Sequence, residues 1–382
     1  DSVSGGIRLR VRHPYDIQGV NIPHVGYGRM MQEIQNVAVD RVEQTEDAAT
    51  VVFGMTPDLI KGWWEGQSTA VFTMWETDVL PPRFARLLPP YTRVIVPCDW
   101  NKELFDTIHP DVHVVPLGVN HDVWKPQVVE DNSKFRFVTG GSGWLRKGIP
   151  QVVKAFHDAA LPDSELVIKL PNYLFDDPKE FNLGSNVTIV RDDLSINEER
   201  DLHASADCFV SASRGEGFGL IPLQQLALGN RVIAPATTGH LMFSHLFDYA
   251  LDASPEKAHM QTFKDIGNWL VPNHDQLVDS MKDAYVKGRP TFIQRQARHK
   301  KTLGFSWENT VDKLLTAHPP TGRLPVKRWK PSGENLICVT ALKKVEADVG
   351  TYKIRIPKGE VKWIPVSTFD TLVESGNVTE FR

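Results

Sequence analysis

Apolar positions in the first 318 residues fall into short runs, each followed by a longer stretch with helical spacing. Gly6 to His13 alternates apolar with basic side chains and predicts a first strand. A loop follows, closing on Pro23-His24-Val25-Gly26-Tyr27-Gly28, and Arg29 to Val37 predicts a helix. Val51–Gly54, Ala70–Met74, Tyr91–Pro97 and His113–Pro116 are further buried strands, with a helix from about Asp99. Short apolar runs alternating with helices are the pattern of a parallel sheet with crossovers. Pro126 to Ser133 is polar and reads as a linker, and the pattern then restarts. Strands are predicted at Phe135–Thr139, Glu165–Leu170, Val187–Val190, Cys208–Ser211 and Arg231–Ala234, with helices over Ile149–Ala160 and up to Gly229. Two successive doubly wound α/β units are expected, binding ligands at the carboxyl ends of their strands. After a breaker-rich joint at Pro319–Pro325, Leu336–Thr340 and Tyr352–Ile356 read as strands, Lys358-Gly359 as a turn and Phe369–Ser375 as a short helix. That is a small β-rich module.

Composition narrows the class. The chain has 382 residues, 41% hydrophobic and 24% charged, which fits folded domains rather than disorder. No run reaches the length of a membrane span, and the first residues lack a basic-then-apolar leader pattern. The three cysteines, Cys98, Cys208 and Cys338, are far apart, which excludes a disulfide framework and a Cys-rich zinc site and fits a reducing cytoplasm. The net charge is −4, but the segment from Pro319 carries +4 against −8 for the rest. A body at −8 is a poor binder of nucleic-acid backbones in bulk. The basic segment is either a solvated surface or a local hold on DNA.

The most informative stretch runs from Ser211 to Gly229. Gly217 and Gly219 let backbone approach a ligand closely, and a helix starting near Leu220 turns its free N–H groups and dipole toward the strand ends, where a diphosphate fits. Glu216 stands just before it, placed to accept hydrogen bonds from sugar hydroxyls. Taken alone, the glycines favour a tight strand-to-helix turn of the kind found in any α/β protein. Arg146 and Lys147 stand at a helix start, where cations are disfavoured; they are either a solvated basic pair or, as that misfit favours, functional residues.

Glu216-Gly-Phe-Gly-Leu, followed by Ala227-Leu-Gly-Asn-Arg-Val-Ile-Ala234, resembles the signature of retaining glycosyltransferases of family 4, of the GT-B fold. The resemblance spans about residues 6 to 318 and extends to phage-borne members, notably over Thr73–Pro82. It implies two Rossmann-like domains facing a cleft: 1–126 on the acceptor side, 127–300 holding the donor, 301–318 returning to the first domain, and 319–382 as the basic β-rich module. It implies that Glu216 and the backbone of Gly217, Phe218, Gly219 and Leu220 hold a nucleotide-diphosphate sugar, and that Lys147, with Arg146, neutralises the leaving diphosphate. The family's second Glu is Gln224 here, which accepts a hydrogen bond without the charge. A family Arg falls on Gly141, so that one phosphate contact is either missing or supplied from elsewhere, with Arg214 the candidate.

Gly26 and Gly28 resemble the family's phosphate-covering glycine loop, and His240 falls where the donor sugar is contacted. Trp75, Glu76 and His24 are the acceptor-side candidates, with core packing the alternative for Trp75 and helix capping for Glu76. No Asp-x-Asp motif or His/Asp cluster occurs, so neither a catalytic metal nor another cofactor is expected. The implied reaction is same-face transfer of the sugar to an acceptor hydroxyl, on a hydroxymethylated base of phage DNA or on a virion protein, in the cytoplasm of the host. A non-catalytic nucleotide-sugar or glycan-binding module, which Gln224 and Gly141 favour, is the principal alternative. A sugar-nucleotide epimerase or a phosphorylase is a further one, but no acid/base pair for epimerisation is evident.

Overall fold

The computed structural model describes residues 15–19, 26–38, 49–54, 69–88, 91–128, 133–171, 183–260 and 263–318, together with five strands between 336 and 380. The first sheet is built from β1 (Tyr15–Gly19), β2 (Ala49–Phe53), β3 (Thr69–Phe72), β4 (Arg93–Val96) and β5 (Val112–Val114), all parallel and ordered as in the chain. Its helices are α1 (Gly26–Ala38), α2 (Pro82–Leu87) and α3 (Asp99–Phe105). The strand expected at Gly6–His13 lies outside the described residues. Tyr15–Gly19, expected as loop, is instead a strand paired to β2 along its whole length. Among the described strands this sheet shows no reversal of order, which departs from the doubly wound expectation.

The second sheet has that reversal. It contains β6 (Phe135–Gly140), β7 (Ser164–Lys169), β8 (Val187–Val190), β9 (Cys208–Val210), β10 (Arg231–Pro235) and β11 (Tyr249–Leu251) in the order β11-β10-β9-β6-β7-β8. Helices α4 (Ile149–Ala159), α5 (Ile196–Ala204) and α6 (Leu220–Ala227) connect them. The chain winds outward from β6 in one direction and from β9 in the other. The crevice between these two strands is the switch point at which open α/β sheets bind ligands. An antiparallel pair, β12 (Ala253–Lys257) and β13 (Asn268–Pro272), follows, then α7 (His274–Val286), α8 (Phe292–Thr302) and α9 (Trp307–Ala317). Ser306 caps α9 through its side chain, so that helix opens at Trp307.

Several contacts join the sheets. Val119, between β5 and β6, pairs with Ser306, and Thr310 on α9 donates to the Pro116 carbonyl at 2.8 Å. Gly118 lies flat against the Ser306 backbone, where a Cβ has no room. Elsewhere Ala258, Ile266 and Trp269 share one buried cluster with Val52, Val71, Trp75, Phe84 and Tyr91 of the first sheet's layer. The C-terminal strands β14 (Leu336–Ala341), β15 (Val345–Val349), β16 (Tyr352–Ile356), β17 (Val361–Pro365) and β18 (Val378–Glu380) form antiparallel sheets β17-β14-β18 and β15-β16. The strands expected at Leu336–Thr340 and Tyr352–Ile356 are among them. The turn at Lys358-Gly359 and the helix at Phe369–Ser375 lie outside the described residues.

Candidate active site

The loops after β6 and β9 meet at the switch point. After β6, Gly141 and Gly143 have positive φ (129° and 89°), and Gly148, at φ 65°, is the N-cap of α4. A Cβ at Gly148 would strike the Ala212 carbonyl, so glycine there lets the two loops touch. Arg146 and Lys147 project from this turn. Its backbone is tied across to the other loop by Arg214 N–H donating to the Arg146 carbonyl at 2.8 Å. Arg146 returns a bond from its guanidinium to the Gly215 carbonyl at 2.9 Å.

After β9, the chain runs through Glu216-Gly217-Phe218-Gly219 into α6. Phe218 is buried against Phe243, anchoring the loop from below. Gly219 is the N-cap of α6 at φ 101°, and no side chain caps that end. Pro222, in the first turn, has no N–H to lose. Glu216 is clamped from both sides: its N–H donates to Thr238 Oγ1 at 3.1 Å, and its carbonyl accepts from Gly239 N–H at 2.9 Å. Thr238 holds φ 50° to do this, a left-handed conformation uncommon for a β-branched residue. Leu220 opens α6, and Gln224 lies half-buried in its second turn.

Four charged side chains converge here. Lys147 Nζ donates to Glu216 Oε1 at 2.5 Å, both side chains being nearly excluded from solvent. Arg146 NH1 lies 3.6 Å from Glu216 Oε2 and 3.1 Å from Glu76 Oε1. Burial would raise the Glu216 carboxyl, but Lys147 and Arg146 outweigh it and hold the group at about 2. Burial lowers Lys147 more than Glu216 and Glu76 restore it. Burial likewise raises Glu76, which Arg146 opposes and Glu216 reinforces. The environment thus favours charge on Glu216 and disfavours it on Glu76.

His240 is fully buried, with its ring beside Gly219. Its Nδ1 sits 2.9 Å from the Pro235 carbonyl, so Nδ1 carries the proton and Nε2 offers a lone pair. Nε2 is buried without a hydrogen-bond partner among the described residues, and burial keeps the ring neutral. An acceptor of that kind beside an uncapped helix end suits a hydroxyl-bearing ligand.

The first sheet contributes Glu76, just beyond the end of β3. Trp75 does not join it. The indole is buried, its Nε1–H donating to Thr77 Oγ1 and the Val79 carbonyl, and its ring packs edge-on to Phe84 and Phe263. Trp75 therefore serves the core, correcting its place among the acceptor-side candidates. Glu76 caps no helix in this arrangement; its carboxylate faces Arg146. His24 lies outside the described residues. Gly26 and Gly28 fall in the first turn of α1 rather than in a loop, and Arg29 beside them pairs with Glu199 of α5 at 2.5 Å. Arg214 pairs with Glu256 at 3.5 Å and lies over Trp269, so its guanidinium is engaged by β12 and β13.

Asn101 and Cys98 are part of the site although no motif marked them. Asn101 Nδ2 donates to the Gly217 carbonyl at 2.9 Å, and its Oδ1 accepts from Trp75 N–H at 2.7 Å. Cys98 Sγ also faces the Gly217 carbonyl, at 3.4 Å. They pin the glycine loop to the start of α3, across 116 residues of chain. Gly217 itself has no room for a Cβ beside Met74. Among the described residues no group of three His, Cys, Asp or Glu side chains is arranged to hold a metal ion, and no helix is long and apolar enough to cross a membrane.

No family model matches the sequence, and no curated protein matches it. Solved structures do. HepE from Anabaena, determined in complex with UDP and glucose, is 12% identical over 80% of this chain and 99% of its own, with a TM-score of 0.55. A glycosyltransferase from Rickettsia africae is 14% identical over 80% and 98%, with a TM-score of 0.53. WaaG, a glycosyltransferase involved in lipopolysaccharide biosynthesis, is 15% identical over 80% and 100%, with a TM-score of 0.50. The chain shares the mixed α/β, parallel-sheet fold of these glycosyltransferases.

Proposed function

We propose that this protein is a GT-B glycosyltransferase of the retaining, family-4 kind, transferring a sugar from a nucleotide-diphosphate donor to an acceptor hydroxyl. The observation that carries the reading is the buried Lys147–Glu216 pair, beside Arg146, at the uncapped start of α6 and on the sheet's switch point. A helix N-terminus flanked by two cations stabilises a departing diphosphate. Glu216 and His240 Nε2 supply acceptors for sugar hydroxyls, one charged and one neutral. The acceptor hydroxyl attacks the anomeric carbon on the face from which the diphosphate leaves. The departing phosphate oxygen takes the hydroxyl proton, so no nucleophile or base from the chain is required. Lys147, Arg146 and the helix end hold the charge as it develops, which makes the reaction independent of a metal.

Fold alone does not settle chemistry. Incubation with UDP-, GDP-, ADP- and TDP-sugars, reading nucleoside diphosphate release with Glu216→Ala as control, tests the reading. Release from one donor, abolished in the variant, supports it; hydroxymethylated DNA and virion protein are the acceptors to add next. Gln224, which lacks the charge of a ribose-binding carboxylate, favours a second reading as a binding module without turnover. Thermal stabilisation by a donor without release is the result that reading requires, while neither release nor stabilisation refutes both.

A further inference from the structure

The charge inventory of the site has a consequence for donor binding. Arg146 and Lys147 bring two formal positive charges, and Glu216 and Glu76 two negative ones. Three of these groups come from the loops after β6 and β9. The fourth, Glu76, comes from the other sheet and is only about a quarter exposed. It cannot swing clear with its backbone, because its carbonyl lies against Gly215 where no Cβ fits. The next carboxylate along, Asp78, is turned away and bonded to the backbone and side-chain amides of Asn268.

Adding a diphosphate beside Arg146 and Lys147 changes that balance. The incoming anion competes for Arg146, and two carboxylates and a diphosphate then face two cations in a water-poor space. The diphosphate diester carries two negative charges, so two are surplus, and the uncapped start of α6 offsets only about half of one. Glu216 keeps its charge most strongly, because Lys147 bonds one oxygen at 2.5 Å and Arg146 sits 3.6 Å from the other. Glu76 has Arg146 at 3.1 Å as its near cation, with Lys147 more distant and Glu216 opposing it. His240 faces Glu216 with its Nδ1 proton committed to the Pro235 carbonyl, and burial disfavours a second proton on Nε2; Cys98, at the Gly217 carbonyl, is kept in its thiol form by burial and has no proton to take up.

We infer that Glu76 is a protonatable counter-ion of the donor site: the diphosphate takes over Arg146, and the Glu76 carboxylate accepts a proton from solvent as the donor binds. This rests on the donor-site reading proposed above. It makes Glu76 a positioning residue, ionised while it holds Arg146 in the free protein and a neutral hydrogen-bond donor in the complex.

The experiment is calorimetric titration with UDP-glucose, then with the GDP-, ADP- and TDP-sugars, in buffers of differing ionisation enthalpy at about pH 7 and about pH 8. A nucleotide sugar is a diphosphate diester with no proton of its own to exchange in that range. The dependence of heat on buffer enthalpy therefore counts protons moved by the protein. The expected result is uptake of between about half and one proton per donor, with affinity weakening up to tenfold per pH unit where uptake is complete. In Glu76→Gln, checked for native circular dichroism, uptake falls to near zero and the affinity no longer depends on pH. Binding to the unaltered protein without proton uptake overturns the inference, whatever the variant does. Uptake that persists in Glu76→Gln also overturns it, by assigning the proton elsewhere. Failure of the unaltered protein to bind any donor is a different outcome, refuting the donor-site reading itself.

Discussion

Removing Lys147 should destabilise the fold as well as the reaction, and the two effects separate. Lys147→Met keeps most of the side chain's volume but strips Glu216 of its 2.5 Å partner. Glu216 is 94% buried and held ionised at about 2, so the variant leaves a charge with one remaining cation, Arg146, which it shares with Glu76. Breaking a buried ion pair costs about 3–5 kcal/mol, and retention of Arg146 puts the expected loss near the lower end, at about 3 kcal/mol. The pair itself stabilises little, since burial lowers Lys147 by more than its carboxylate neighbours restore. The double variant Lys147→Met/Glu216→Gln should therefore recover most of the loss, with a coupling above about 2 kcal/mol. Urea unfolding of the four proteins at constant slope measures this. Single variants that each cost under about 1 kcal/mol and simply add would refute a buried, coupled pair. Donor turnover should fall about 100-fold or more in both single variants and should not return in the double, because the lost cation served the leaving group.

Three further outcomes follow from other parts of the site and its support. Gly219→Ala, at φ 101° and against the His240 ring, should cost about 2–4 kcal/mol by denaturation and weaken donor binding measured by calorimetry. Asn101→Ala leaves Trp75 N–H without its acceptor and frees the Gly217 carbonyl; a loss of about 2 kcal/mol is expected, with faster amide exchange in the glycine loop. His203 is buried between Trp124 and Phe209 and held neutral, at about 4. Its folded value lies below the unfolded value near 6.5, so the unfolded chain takes the proton first as pH falls. Stability should drop by up to about 3 kcal/mol between about pH 6.5 and pH 4, and urea midpoints of His203→Phe should show a shallower slope across that window.

What could be read from the sequence depended on how local the physics was. The β9–α6 turn and the Arg146-Lys147-Gly148 turn were legible because glycine conformation, helix start and cation placement all act within a few residues. Five of the second sheet's six strands stood out as apolar runs between helices; the three-residue β11 is too short and too exposed to do so. Trp75 could not be assigned, because an indole beside a strand end looks the same whether it meets Phe84 and Thr77 or a ligand. Asn101 and Cys98 were invisible for a different reason: their meaning is the Gly217 carbonyl, 116 residues away. The β12–β13 pair was missed because Ala-Ser-Pro-Glu-Lys is half-exposed to exposed and shows no alternation. The protonation of His240 was likewise unreadable, since it follows from one backbone carbonyl and from burial.

The cluster that joins Trp75 and Phe84 to Ile266 and Trp269 also governs when the protein can fold. Thr77 donates to the Ile266 carbonyl at 2.6 Å across 189 residues of sequence. At roughly 5–20 residues per second, a ribosome needs on the order of 10–40 s to deliver the second half of that contact after the first has emerged. For that interval Val52, Val71, Trp75 and Phe84 wait without the side chains that later cover them. The first sheet's layer is thus completed only when most of the chain has been made. Until then that layer keeps apolar surface exposed, the condition under which nascent domains aggregate.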